Sequence, residues 1–234
     1  SAQEPVVRMW DTSTGQPLQN YSGHTARPKI RISAVACSPD GATSASAEGD
    51  LNAEDKELHL WETGTGKQRW KINTGTHPTH AIKFSPDGKA LAVLTSARLM
   101  LLSAVDGKEQ WTFSPVDGPG LQFHPDGRRL LCGLPDGFAV LDSTTGQQLR
   151  KLAIESDRNL SCSLSHDGQW LATCLQHPAS SQVSIMNFET GQEFANLTIN
   201  GTDPAFRDAR FFPKDNRLAT ARAPNAVEIW ELQP

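Results

Sequence analysis

Ser38-Pro39-Asp40-Gly41 is the first copy of a turn that recurs along the chain, and these copies decide the fold. In such a turn proline presets φ, aspartate can accept a hydrogen bond from the backbone two residues on, and glycine supplies the positive φ that closes a hairpin. Each copy therefore predicts a pair of antiparallel strands. The later copies are Ser85-Pro86-Asp87-Gly88, His124-Pro125-Asp126-Gly127, Ser165-His166-Asp167-Gly168 and a degraded one at Phe212-Pro213-Lys214-Asp215.

A second landmark is a glycine that follows a strictly alternating apolar segment, as expected of a half-buried strand. These segments are Val7-Arg8-Met9-Trp10, Leu58-His59-Leu60-Trp61, Leu99-Met100-Leu101-Leu102, Phe138-Ala139-Val140-Leu141, Val183-Ser184-Ile185-Met186 and Val227-Glu228-Ile229-Trp230. A glycine turn and a fourth strand follow each of the first five. A period of about 40 residues is typical of propeller blades, whereas helical repeats have periods of about 33 or 34.

The chain is therefore expected to be all-β, a β-propeller of four-stranded antiparallel blades with about five blades present. A linear sandwich is the alternative, and the regular period favours the propeller. We expect 21 strands in one domain over residues 1–234. The domain divides into a partial blade at 6–21, repeats at about 30–72, 79–113, 119–152 and 159–198, and an incomplete last repeat at 206–231.

These motifs resemble the WD-repeat propeller family through Gly23-His24, the aspartate-glycine turns and Trp10-Asp11. Three further dipeptides keep one residue of the Trp-Asp pair and replace the other: Trp61-Glu62, Leu141-Asp142 and Trp230-Glu231. The resemblance implies a buried structural hydrogen-bond network within one blade, formed by His24, Ser46, Asp50 and Trp61. In the next blade Leu102 stands in place of the tryptophan, so we expect that blade to depend on apolar packing.

The resemblance also bears on the number of blades, because propellers of this family commonly have seven. It implies that this chain is part of a larger, seven-bladed propeller. The competing hypothesis is a five-bladed ring in which Pro17 to Tyr21 supplies the strand missing from the last blade. That closure would leave Val6 to Trp10 as a spare exposed strand, which is an aggregation hazard.

Two outer-strand segments, residues 65–70 and 106–111, are similar to the tryptophan-docking motif of quinoprotein propellers, where the motif is structural. This second resemblance supports an alternative function, a propeller associated with an enzyme, either quinoprotein-like or with a catalytic domain upstream. Only two units match the motif, and the aspartate-glycine turns do not belong to it.

No GxSxG, HExxH or P-loop pattern occurs, so we predict no catalytic residues, no cofactor and no metal. The acidic loop at 50–55 begins like a calcium loop but lacks its sixth-position glycine and distal glutamate. The four cysteines form no CxxC pair. If Leu164 faces Leu171 across its hairpin, Cys162 opposes Thr173 and Cys174 points to the other face, so no disulfide is expected.

We expect a non-catalytic protein-interaction scaffold, monomeric as a domain, that forms the C-terminal regulatory or docking part of a larger protein. A net charge of −4 argues against nucleic-acid binding, and no apolar run approaches the roughly 20 residues of a membrane helix. The compartment stays open, with the cytoplasm favoured and the partner unknown. Candidate partner-binding residues in the longest loops are Arg27, Lys29, Asp203, Phe206 and Arg207, although Phe206 is also a candidate for the start of a strand.

Overall fold

The computed structural model describes residues 6–24, 31–49, 55–114, 116, 120–154, 158–177, 180–200, 206–215, 217–222 and 226–232. This described part contains 21 strands and no helix, so none that could cross a membrane. The strand count predicted from the sequence is confirmed. The chain forms two compact units, residues 1–115 and 116–234, which are described separately.

The first unit holds ten strands in three antiparallel sheets. The sheets are β1-β2, β3-β4-β5-β6 and β7-β8-β9-β10. The strands are β1 (Val6–Trp10), β2 (Pro17–Ser22), β3 (Ile32–Cys37), β4 (Thr43–Glu48), β5 (Lys56–Glu62), β6 (Gln68–Gly75), β7 (Thr79–Phe84), β8 (Ala90–Thr95), β9 (Leu99–Ser103) and β10 (Glu109–Phe113).

The second unit holds eleven strands in three further antiparallel sheets. The sheets are β11-β12-β13-β14, β15-β16-β17-β18 and the three-stranded β19-β20-β21. The strands are β11 (Leu121–Phe123), β12 (Arg129–Leu134), β13 (Gly137–Asp142), β14 (Gln148–Ala153), β15 (Arg158–Leu164), β16 (Trp170–His177), β17 (Ser180–Asn187), β18 (Glu193–Asn200), β19 (Phe206–Phe211), β20 (Arg217–Arg222) and β21 (Ala226–Glu231).

The repeated turns adopt the predicted chemistry. The Ala42 amide donates to Asp40 Oδ1 at 2.9 Å, two residues on, and Gly41 has a φ of 70°. The Ser38 hydroxyl also donates to Asp40, and this bond, together with that of the Ala42 amide, lowers the pKa of the aspartate. The turn thus ties β3 to β4 through one side chain, and the copies after β7 and β15 repeat the arrangement.

Within each unit, one face of a sheet packs against the opposite face of the next sheet. Leu58 and Leu60 of β5, both fully buried, share a core with Val93, Met100 and Leu102 of the following sheet. The second unit repeats this packing twice, between its first and second sheets and between its second and third. Since neither face of a blade can be left in water without cost, face-to-face packing is what stabilises the sheets.

Every complete or partial sheet with a paired outer strand carries a β-bulge at the same place in that strand. The ladder register shifts just after the glycine turn and leaves one outer-strand residue without a partner. At the bulge, one side chain of the outer strand departs from the regular alternation between the two faces of the sheet. The residues concerned are Leu18, Arg69, Gln110, Leu149 and Phe194.

The predicted register of the cysteine hairpin is confirmed. Leu164 pairs with Leu171 and Cys162 with Thr173, so Cys174 lies on the opposite face. All four cysteines are free thiols. Burial raises the pKa of the Cys174 thiol to about 12, as expected of a small core residue rather than a reactive one.

Candidate functional site

The richest polar cluster of the first unit lies inside sheet β3–β6 and is centred on the Ser46 hydroxyl. The Trp61 indole donates its Nε1–H to Ser46 Oγ at 2.9 Å, and His24 Nε2 lies 2.7 Å from the same oxygen. Ser46 and the side chain of His24 are fully buried. The structure thus brings together three of the four residues of the expected network, whereas Asp50 lies outside the described residues.

A carboxylate that the sequence reasoning missed completes the cluster. His24 Nδ1 lies 3.1 Å from Glu48 Oε1, and Glu48 Oε2 accepts the Glu57 backbone N–H at 3.0 Å. Because a carboxylate only accepts, Nδ1 carries the imidazole proton and Nε2 accepts from the Ser46 hydroxyl. The signal was present in the sequence, since Glu48 follows Ser46 by two residues and so shares its face of β4.

His59 extends the cluster on β5. Its ring centroid lies 4.0 Å from that of His24 and 5.0 Å from that of Trp61. Its two nitrogens contact Gln68 Oε1 at 2.9 Å and Glu57 Oε2 at 3.1 Å. Burial, followed by the neighbouring His24, lowers the pKa of His59, so the neutral imidazole is the stable form.

Glu57 links this cluster to the surface. Burial alone would raise the pKa of Glu57, but hydrogen bonds from Lys71 and His59 outweigh it and hold the pKa at about 2. Lys71 Nζ donates to Glu57 Oε1 at 2.7 Å, forming a half-exposed ion pair. The carboxylate is therefore ionised and fully occupied at neutral pH.

The order Ser46–His24–Glu48 is that of a hydrolase triad, but its surroundings exclude that chemistry. A nucleophilic serine must be reached by its substrate. Ser46 has no exposed surface, and its oxygen already accepts the Trp61 N–H. The arrangement is suited to holding β4 and β5 to the segment before β3, as a satisfied buried network stiffens its surroundings.

His24, Glu57 and His59 also place three ligand-type atoms within 4.8 Å of one another. Each imidazole nitrogen already lies within hydrogen-bond distance of another polar atom, and the Lys71 ammonium adjoins Glu57. A cation would have to displace these bonds and face that ammonium. The cluster fits a hydrogen-bond network better than a metal site.

The tryptophan-docking segment makes a contact between neighbouring sheets. Trp70 Nε1 donates to the Ala104 carbonyl oxygen at 3.1 Å, and a Cβ on Gly107 would lie 3.1 Å from the indole ring. In the second unit Arg150 holds the same register position and donates to the carbonyl oxygens of Phe188 and Glu189. Both side chains tie an outer strand to the next sheet's glycine turn.

The loop residues expected to bind a partner are mostly undescribed. Arg27, Lys29 and Asp203 lie outside the described residues, and Arg207 is exposed on β19. Phe206 requires a correction, because it begins β19, is only 2% exposed and packs in the core of the last two sheets. Its backbone N–H donates to Ser181 Oγ at 2.9 Å. The alternative prediction, that Phe206 begins a strand, is therefore the one that fits the structure.

Two apolar strand faces are exposed where their equivalents are buried. Val35 on β3 is 60% exposed, whereas the residues at its register position in the next four sheets are at most 3% exposed: Ile82, Leu121, Cys162 and Ala209. Val227 and Ile229 on β21 are 73% and 60% exposed. Their equivalents on the third strands of the four complete sheets, Leu58, Leu60, Leu99, Leu101, Phe138, Val140, Val183 and Ile185, are all at most 2% exposed.

Comparison with known proteins agrees with this architecture. The family model "WD domain, G-beta repeat" matches residues 15–62. Eukaryotic translation initiation factor 3 subunit I of Aspergillus terreus is 24% identical over 97% of this chain and 69% of that protein. An uncharacterized WD repeat-containing protein of Synechocystis is 32% identical over 32% of this chain and 19% of that protein.

A solved structure shows the same fold. Hydrazine synthase of Kuenenia stuttgartiensis superposes with a TM-score of 0.70 at 17% identity. The match covers 86% of this chain, which spans 58% of that protein's chain. Together with the four-stranded sheets, the repeated turns and the Trp61–Ser46–His24 cluster, the WD-domain match and the initiation-factor relative support a WD-repeat β-propeller family for this chain.

Proposed function

We propose that this protein is a non-catalytic scaffold that binds other proteins through exposed strand faces. The observation that carries the proposal is the exposure of Val35, Val227 and Ile229 at positions that are buried in the other complete sheets, on faces that a partner protein or a further sheet of a longer chain would cover. An apolar strand face exposed on a folded protein marks an interaction site. Among the described strands β21 pairs with β20 alone, so its other edge can take up a partner strand.

The buried polar cluster supports the same proposal. Ser46, His24 and Glu48 have the chemistry of a catalytic triad but lie where no substrate reaches them. Their hydrogen bonds hold strands together, and rigid elements of this kind position binding surfaces elsewhere. A net charge of −4 makes a protein partner a better match than a nucleic acid.

The relatives point in the same direction. The Aspergillus protein is by name a subunit of a multi-subunit initiation factor. At 24% identity the particular assembly is not transferred to this chain. What we carry over is the role of a subunit that docks against other proteins.

A propeller associated with an enzyme is the second candidate, favoured by the docking contact of Trp70 with Ala104 and Gly107. That contact is accounted for by packing between sheets, and Arg150 serves the same purpose in the second unit. Saturable binding of an added quinone cofactor, together with dye reduction, would select this candidate over a scaffold.

The proposal is tested with the double variant Val227→Asp/Ile229→Asp, using Val105→Asp as its matched control. Val105 is 79% exposed but lies in the glycine turn between β9 and β10 rather than on a strand. Complexes formed in the source cell are isolated on tagged protein and their stoichiometry is measured by native mass spectrometry. We expect a defined complex with the wild type and the control, and its loss in the double variant.

Thermal unfolding of the isolated proteins completes the test. All three should unfold with the same midpoint, because the substituted side chains are exposed. Retention of the complex by the double variant would contradict the proposal. So would loss of cooperative unfolding in that variant, because the face would then be required for folding rather than for a partner.

A further inference from the structure

A surface cavity in sheet β15–β18 departs from the pattern of the repeat. It has a volume of about 320 Å³ and is lined by Trp170, Asn187, Thr190, Gln192, Glu193 and Phe194. This volume is at the small end of the range of about 300–1,000 Å³ for ligand sites. The cavity has room for one side chain of a partner.

Two aromatic rings form its apolar part. The centroids of Trp170 and Phe194 lie 4.8 Å apart with a 46° tilt. Trp170 is anchored against the core of the last two sheets, whereas Phe194 is 46% exposed because the bulge of β18 turns it outward. Such a pair presents a rigid surface with negative ring faces.

The repeat does not require this aromatic pair. The register position of Trp170 is held in the other sheets by Thr43, Ala90, Arg129 and Arg217. The bulge position of Phe194 is held elsewhere by Leu18, Arg69, Gln110 and Leu149. No other sheet combines two aromatic residues at these positions, so the blade fold alone does not explain them.

The polar part of the cavity is acidic. Glu193 is exposed, and its Oε2 accepts the Ser184 hydroxyl at 2.8 Å, which orients the carboxylate. None of the six lining residues is basic, and none of the described residues forms a salt bridge with Glu193. A carboxylate beside aromatic faces favours a cation.

The same unit shows which cation this combination prefers. The guanidinium groups of Arg129 and Arg150 lie 5.0 and 4.8 Å from the centroid of the Phe188 ring, and Glu189 forms ion pairs with both. There an aromatic ring and a glutamate hold arginines of the chain itself. At Trp170, Phe194 and Glu193 the aromatic rings and the carboxylate are present without an arginine among the lining residues.

We infer that this cavity binds an arginine side chain of a partner protein. The inference rests on the proposed scaffold function and specifies the chemistry of one contact. The guanidinium stacks against Trp170 and Phe194 and donates to the Glu193 carboxylate. Arginine fits better than lysine because its planar group stacks, is less strongly hydrated and can donate two parallel hydrogen bonds to a carboxylate.

The test is a titration of ¹⁵N-labelled protein with the peptide acetyl-Gly-Arg-Gly-amide, followed at the Trp170 indole N–H. This signal is identified by its disappearance in Trp170→Phe. The control ligand contains citrulline, which has the shape of arginine without its charge. We expect saturable binding of the arginine peptide, about tenfold tighter than that of the citrulline peptide.

Two variants examine the protein side. Glu193→Gln and Phe194→Ala should each weaken binding by about fivefold. The matched control is Glu109→Gln, because Glu109 holds the register position of Glu193 in sheet β7–β10. Equal responses to the two peptides, tighter binding of a lysine peptide, or affinity unchanged by both variants would each overturn the inference.

The two proposals fail separately. If the arginine peptide does not bind while the complex still depends on Val227 and Ile229, only the cavity inference is wrong. If the peptide binds with the expected charge dependence while no complex depends on the β21 face, the scaffold proposal is wrong in its present form and the cavity remains an arginine site.

Discussion

Sheets β3–β6 and β7–β10 have the same strand order and register, yet their equivalent central positions carry opposite chemistry. Where the first has Ser46 opposite His59, the second has Val93 opposite Met100. Where the first has Trp61, the second has Leu102. All of these residues are at most 2% exposed.

The difference shows that the blade backbone does not depend on one kind of interior. Strand alternation and the turns are common to both sheets. The buried side chains at their central positions are apolar in one sheet and form a satisfied polar network in the other. The two interiors should respond differently to change. An apolar core loses stability in proportion to the cavity created, whereas removal of one network member leaves buried polar groups without partners.

The largest expected effect is in the polar sheet. Glu48→Ala removes the carboxylate that accepts from His24 and from the Glu57 backbone, leaving one buried and one partly buried donor without this acceptor. We expect the free energy of unfolding to fall by about 3–5 kcal/mol, measured by urea denaturation, because each donor left unsatisfied costs about 1–3 kcal/mol. Glu62→Ala, which removes a partly exposed carboxylate from the same sheet, should remain close to the wild type. A loss confined to a few tenths of a kcal/mol in Glu48→Ala would contradict the network.

In the apolar sheet, Leu102→Ala should lower the free energy of unfolding by about 3 kcal/mol through lost burial and the cavity left behind. Leu149→Ala is the control, because Leu149 is 56% exposed at a bulge. Urea denaturation compares the two. Similar losses in both variants would show that burial does not distinguish these positions.

The two sheets should also differ in their response to pH. Since the folded protein lowers the pKa of His59 below its usual 6.5, the unfolded chain takes up the proton more readily. Stability should therefore fall as the pH drops below about 6.5, before the carboxylate of Glu57 begins to titrate. His59→Met introduces the residue found at the equivalent position, Met100, of sheet β7–β10. This variant should flatten the dependence of stability on pH in this range. An unchanged slope would remove His59 as its cause.

The smallest expected effect is at the contact between the sheets. Trp70→Phe keeps an aromatic ring against Gly107 but removes the N–H donated to the Ala104 carbonyl. Loss of one such hydrogen bond should cost about 1 kcal/mol in urea denaturation. Trp10→Phe is the control, since Trp10 is 54% exposed. A loss of 3 kcal/mol or more would indicate that this contact governs the whole unit.

The sequence predicted those features that depend on local chemistry. The turn at Asp40 and the pairing of Cys162 with Thr173 follow from turn propensities and strand alternation. Within the candidate site, Ser46, Trp61 and His24 come together as the family resemblance implied. These predictions use only spacing along one hairpin or a short segment beside it.

The features that were missed depend on contacts between distant residues or on small shifts of register. Glu48 contacts His24 only because the segment before β3 folds back over β4. Phe194 reaches Trp170 because a bulge removes it from the alternation on which strand predictions depend. Phe206 counts among the loop candidates because the turn residues Asp203 and Pro204 mark a loop without fixing the residue at which β19 begins.

The coupling between Ser46 and Trp61 tests most directly whether the buried cluster is the structural centre of its blade. Ser46→Ala, Trp61→Phe and the double variant are compared by urea denaturation in a double-mutant cycle. Because both substitutions break the same hydrogen bond, we predict a coupling energy of about 1 kcal/mol, with both single variants destabilised. Strictly additive effects, or a Ser46→Ala variant as stable as the wild type, would contradict this account.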